Sequence, residues 1–159
     1  MGNMSFLEFI RTYNGQYKES NELYHRLARH FGLSDSAFWI LYTLREAEGP
    51  VSQKQLCQEL YLSKQTVNSA LKNLEEAGYL RLESAPDSRK NKEIHLTDAG
   101  EELLRRTADP VFAMEERAFR RLTEEEREAI LRLGRRNLDL LREEAERLLR
   151  GGDESTEII

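Results

Sequence analysis

Large apolar residues return at three- and four-residue steps over positions 6–31, at Phe6, Ile10, Tyr13, Tyr17, Tyr24, Leu27 and Phe31. That spacing draws one stripe along a long helix, and Gly32 stops it. Ser34 is a good N-cap for a second helix, with Asp35 in its first turn and Phe38, Ile40, Leu41 and Leu44 as its apolar positions. Gly49-Pro50 is expected to end it, because a proline disfavours helical geometry at the residue before it. Ser52-Gln53-Lys54-Gln55 has the form of a capping box and opens a short helix through Leu56, Cys57 and Leu60. Ser63 caps the next helix, whose buried face is Val67, Ala70, Leu71 and Leu74 and whose stop is Gly78.

The period then changes. Tyr79-Leu80-Arg81-Leu82-Glu83 alternates as a strand, and Glu93-Ile94-His95-Leu96 alternates as a second. Positions 84–92 between them are polar and contain Pro86, so they are expected to form a loop. Thr97-Asp98 caps a long helix carrying Leu103, Leu104, Val111, Met114 and Ala118, with Pro110 expected to kink or break it. Thr123-Glu124-Glu125-Glu126 is a second capping box and opens the last helix, striped by Ile130, Leu131, Leu133, Leu138, Leu141, Ala145 and Leu148. Positions 151–159 lack periodicity and are expected to be a disordered tail. The predicted fold is mainly α with a small β-hairpin wing: a winged helix–turn–helix core flanked by long N- and C-terminal helices.

Composition narrows the chemistry. With 159 residues, one Cys and 3 His, the chain has no disulfide framework and no set of residues at metal-ligand spacing. No cofactor, no metal and no enzymatic activity is expected, since neither a Ser–His–Asp order nor a glycine-rich phosphate loop is present. No apolar run approaches the roughly 20 residues that cross a bilayer, and no signal peptide opens the chain. A cytoplasmic protein without membrane contact is the expectation. Net charge is -5, which taken whole argues against nucleic acid, yet the acidic excess sits mostly beyond residue 100.

The centre is different. No Asp or Glu occurs from position 63 to 73. The helix there offers Ser63, Lys64, Gln65, Thr66, Asn68, Ser69 and Lys72 opposite its apolar face, with Ser52 and Gln53 at the start of the helix before it. Gln and Asn can pair with adenine edges, and Lys can reach guanine or phosphate. Arg89, Lys90 and Lys92 then put three cations in four residues at the hairpin tip, where they can reach a phosphate or a narrow minor groove. These twelve residues are the candidate DNA contacts.

On these residues the chain resembles the multiple antibiotic resistance regulator (MarR) family of bacterial transcription factors. The resemblance rests on Leu62-Ser63-Lys64-Gln65-Thr66-Val67, on Leu74-Glu75-Glu76-Ala77-Gly78-Tyr79-Leu80, on the wing Asp87-Ser88-Arg89 and on the exit Leu96-Thr97-Asp98-Ala99-Gly100. With the flanking helices it covers residues of roughly 6 to 150. It implies a homodimer joined through the terminal helices, hence an N-terminal dimerisation helix at 1–33, a DNA-binding lobe at 34–97 and dimerisation helices at 98–150. It also implies a repressor on an imperfect palindromic double-stranded operator, released by a small ligand or another signal. Arg89 stands one residue further from Leu96 than the family wing usually places it, so either Arg89 or Lys90 takes the position of the inserted cation.

Tyr13, Tyr17, Trp39 and Tyr42 are candidates for walls of an organic effector's cleft. The same four side chains serve more readily as core or dimer contact. Cys57 reads as a core residue. Two rivals stand beside the main reading: a winged-helix module that binds another protein, and a DNA-binding regulator of a different winged-helix family. The Leu-Thr-x-x-Gly exit after the wing favours the MarR resemblance.

Overall fold

The computed structural model describes residues 4–85 and 88–151, with 85 and 88–91 described by their backbone alone. The elements run α1 (Phe6–His30), α2 (Asp35–Glu46), β1 (Val51–Ser52), α3 (Gln53–Glu59), α4 (Lys64–Glu76), β2 (Leu80–Ala85), β3 (Ser88–Leu96), α5 (Asp98–Arg106), α6 (Ala108–Phe119) and α7 (Glu124–Gly151). The fold is mainly helical with a small antiparallel wing.

Caps set these boundaries. Ser34, Ser52, Ser63 and Thr97 each sit in extended geometry and accept a backbone N–H from the first helical turn, an arrangement worth about 1 kcal/mol per cap. Both predicted capping boxes form. Gln55 Oε1 accepts from the Ser52 N–H at 2.8 Å, and Glu126 Oε2 accepts from the Thr123 N–H at 2.8 Å. At the end of α4, Gly78 takes φ +79°, and the Tyr79 N–H returns to the Leu74 carbonyl at 2.9 Å.

Four boundaries differ from the sequence expectation. Helix α2 ends at Glu46 rather than at Gly49-Pro50, because the chain must already be extended to pair Val51 with Ile94. That pairing creates β1, a strand too short to leave a periodic signal. The stretch 84–92, expected as a loop, is largely strand. Its residues are polar, so no alternation marks them, yet the ladder begun at Leu80↔Leu96 continues outward through Ser84↔Lys92. The long helix after Thr97 breaks at Thr107, three residues before Pro110. Pro110 thus falls in the first turn of α6, where its missing N–H has no helical partner to lose. Gly151, expected in the tail, closes α7; the rest of the expected tail, 152–159, lies outside the described residues.

The sheet has the order β1-β3-β2. Its apolar face sends Leu80, Leu82, Ile94 and Leu96 toward a core built with Ile40 and Leu41 of α2, Leu56 of α3, Val67, Leu71 and Leu74 of α4, and Leu103 and Leu104 of α5. Cys57 is half-buried against this core. The opposite face carries Arg81, Glu83, Glu93 and His95, with Arg81–Glu83 at 3.9 Å and His95–Glu93 at 3.7 Å.

The described chain divides into two compact units, one ending at Phe112 and the other beginning at Ala113. In the second, α7 runs for 28 residues without one buried side chain. Its polar faces are laced by ion pairs such as Arg135–Asp139 at 2.8 Å and Arg147–Glu144 at 2.7 Å. Its stripe stays open, with Leu131 75% and Leu148 77% exposed. The N-terminal half of α1 in the first unit is likewise uncovered at Phe6, Phe9, Tyr13 and Tyr17.

Candidate nucleic-acid interface

Helix α4 turns Val67, Ala70, Leu71 and Leu74 into the core. The opposite face is therefore solvent-facing, and Lys64, Gln65, Thr66, Asn68, Ser69 and Lys72 are all exposed. Ser63 and Thr66 are partly engaged within the protein. Ser63 Oγ accepts the Thr66 N–H at 3.1 Å and lies 2.8 Å from Thr66 Oγ1, so these hydroxyls fix the helix start. Gln65 and Asn68 make no side-chain hydrogen bond among the described residues, which leaves their amides available. Lys72 lies 3.6 Å from Glu76, one turn along.

Electrostatics separates this helix pair from the rest of the chain. Helices α1, α2, α5, α6 and α7 each carry an acid in the first turn. Helices α3 and α4 carry none. The positive end of the helix dipole and its unpaired N–H groups are thus left uncompensated where an anion would be welcome. Ser52 and Gln53, at the start of α3, are half-buried; the Ser52 hydroxyl accepts the Gln55 N–H at 3.2 Å.

The wing projects from the same lobe. Lys92 is exposed and pairs in register with Ser84. From Ser84 to Ala85 strand β2 advances one residue while β3 steps from Lys92 to Ser88, so Arg89, Lys90 and Asn91 form an excursion outside the regular ladder. The side chains of Arg89 and Lys90 lie outside the described residues, and so does Asp87.

The exit motif after the wing has a packing role. Thr97 accepts the Gly100 N–H at 3.1 Å and donates its hydroxyl to the Gly78 carbonyl at 2.7 Å, while its own N–H reaches the Tyr79 carbonyl at 3.1 Å. A Cβ at Gly100 would collide with that same Tyr79 carbonyl oxygen. The start of α5 is thus clamped onto the end of α4.

Of the four effector candidates, the structure brings two together. Trp39 and Tyr42 of α2 meet edge to face at 5.3 Å, and both line a cleft of about 530 Å³ with Thr43, Val51, Gln55 and Leu60. Glu46, Glu48 and Glu59, which sequence reasoning did not single out, also line it. None of the three carboxylates has an ion-pair partner among the described residues. Tyr13 stacks on Phe9 at 5.8 Å along α1, and Tyr17 is 67% exposed; neither reaches the cleft. His25 pairs with Asp35 at 2.8 Å, and no cluster suited to a metal ion occurs among the described residues. No described helix is long and apolar enough to cross a membrane.

Comparison with known proteins places this geometry in context. The sequence profile of the MarR family matches residues 31–90. A helix–turn–helix-type transcriptional regulator of Bacillus cereus is 28% identical over 131 residues, 82% of this chain and 84% of its own. The helix–turn–helix-type transcriptional regulator YwoH of Bacillus subtilis is 31% identical over 105 residues, 66% of this chain and 75% of its own. In fold the chain is similar to Sco3205, a MarR family transcriptional regulator from Streptomyces coelicolor whose crystal structure is a complex with DNA. There the TM-score is 0.66 at 23% identity, over 87% of this chain and 91% of that one.

Proposed function

Because the chain belongs to the MarR family of helix–turn–helix transcriptional regulators, we propose that two copies pair through their terminal helices and hold an imperfect palindromic operator as a repressor. The observation that carries this reading is the contrast in helix starts: α3 and α4 alone lack a first-turn acid among the described helices. In a chain of net charge -5, acids are missing where phosphates would lie. Two recognition helices related by a two-fold axis would then enter successive major grooves about one helical turn apart.

The roles divide by chemistry. Gln65 and Asn68 read base edges through their amides. Lys64, Lys72 and Lys92 hold phosphates, Ser69 adapts to either, and the wing excursion brings Arg89 or Lys90 to the minor groove. Ser52, Gln53, Ser63 and Thr66 act at the helix starts, where backbone N–H groups and hydroxyls meet the phosphate chain. Selection of bound sequences from random DNA tests the reading directly. On the selected operator, Gln65→Ala and Asn68→Ala are each expected to lose about 1–3 kcal/mol while binding to random DNA changes little. Equal losses on both would show that neither side chain reads a base. Complete absence of DNA binding at low salt would favour a protein-interaction module instead.

The releasing signal has a place in the same reading. The cleft beside Trp39 and Tyr42 opens between α2 and α3, so a ligand there sets the supporting helix against the rest of the lobe. Glu46, Glu48 and Glu59 make its field negative, which favours an organic cation with an apolar body over an anionic phenol. Trp39 is the chain's one tryptophan, so its emission reports the cleft. Hydrophobic amines are expected to quench or shift it and to weaken operator binding, whereas aromatic carboxylates at the same concentration leave it unchanged. The reverse order of response would remove the cation preference.

A further inference from the structure

Tyr61 stands in the turn between α3 and α4, and it is the one non-glycine residue with positive φ, at 51°, among those described. That left-handed geometry crowds the Cβ of any L-residue, and glycine occupies it without cost. Tyr61 is also 89% exposed, more than any other large apolar side chain described. The others flagged by exposure lie on or beside α1, or on α6 and α7, where a second copy can cover them. Tyr61 is in the central lobe, far along the chain from those stripes. Its ring meets no other ring, and its hydroxyl makes no hydrogen bond, among the described residues. A strained backbone position thus carries an aromatic side chain that is almost fully open to solvent.

Its position suggests what the ring is for. Tyr61 precedes by two residues Ser63, the cap of α4, whose first turn presents Lys64 and Gln65. In a helix–turn–helix the supporting helix crosses the phosphate backbone while the recognition helix occupies the groove. The turn joining them would then lie beside the strand of phosphates. We propose that Tyr61 extends the DNA-binding surface onto this turn, laying its ring along the deoxyribose–phosphate backbone and donating its phenolic O–H to a phosphate oxygen. The inference rests on the reading that α4 enters DNA. The contact is neutral, so it displaces no counterion and adds affinity without adding to salt dependence.

The experiment compares the wild-type chain with Tyr61→Gly and Tyr61→Phe, in urea denaturation and in binding one operator duplex over a salt series. Tyr61→Gly is expected to raise the denaturation midpoint while weakening DNA binding more than tenfold: about tenfold from one lost hydrogen bond in each of two copies, and the rest from the lost ring contact. The slope of log affinity against log salt is expected to stay unchanged. Tyr61→Phe, which keeps the ring and loses the donor, is expected to fall between. A stabilised Tyr61→Gly with wild-type affinity overturns the proposal, and so does a parallel loss of stability and affinity, which would assign the ring to the fold. Wild-type affinity in Tyr61→Phe overturns the phosphate bond. If the wild-type chain itself binds no DNA at low salt, the reading of α4 fails first and takes this inference with it.

Discussion

Gly100→Ala is expected to destabilise the protein by about 3 kcal/mol, a large effect for one methyl group. The new Cβ would occupy the space of the Tyr79 carbonyl oxygen, and backbone cannot step aside as a flexible side chain does. That oxygen already accepts the Thr97 N–H, and Thr97 holds the Gly78 carbonyl through its hydroxyl. Moving it would loosen the end of α4, the entry to β2 and the cap of α5 together. Gly15→Ala supplies the control. It places the same methyl on the polar side of α1 with no atom within 4 Å, and about 1 kcal/mol of stabilisation is expected there from helix propensity. Urea midpoints for the two variants should move in opposite directions. A Gly100→Ala midpoint equal to wild type would show that the clamp yields.

Leu141→Asp is the second large effect. In an isolated chain the position is 53% exposed, and a surface aspartate there would be nearly neutral. In a dimer sealed along the α7 stripe, each copy would bury an unpaired carboxylate, a cost of about 3–5 kcal/mol. Sedimentation at micromolar concentration is expected to show a dimer for the wild type and the 18.6 kDa chain for the variant. Operator affinity should fall with it, because one half-site alone gives up the second recognition helix. A variant that sediments as the wild type does would mean that the stripe of α7 faces something other than a second copy.

The helix–turn–helix was legible because each of its decisions is local. Ser52, Gln55, Ser63 and Gly78 act within one turn of themselves, and Val67, Ala70, Leu71 and Leu74 keep helical spacing. What escaped the sequence depends on distant partners. Val51 and Ser52 become a strand only because Ile94 and Glu93 lie opposite. The outer wing is polar along the sequence and so has no alternation to read. The role of Gly100 required knowing that Tyr79 passes above it. Of the effector candidates, Trp39 and Tyr42 converge because they sit one turn apart on α2, while Tyr13 and Tyr17, on α1, do not line their cleft. The turn residue Tyr61 left no signal in the sequence, because its positive φ is set by the turn that joins α3 to α4.

Strand β3 is held from both sides at one residue. Ile94 pairs with Val51 on one edge and with Leu82 on the other, and its side chain is buried. A slip of one position would turn Ile94 out to water and bring a polar neighbour into the core. A length change beside Ile94 would break this register, whereas the excursion at Arg89, Lys90 and Asn91 lies outside the regular ladder and can absorb one. With Arg89 rather than Lys90 as the inserted cation, the extra residue before Leu96 would fall in that excursion. The base of the wing is thus pinned in register while its cations sit on a segment outside it, so a change in their reach need not disturb the recognition helix.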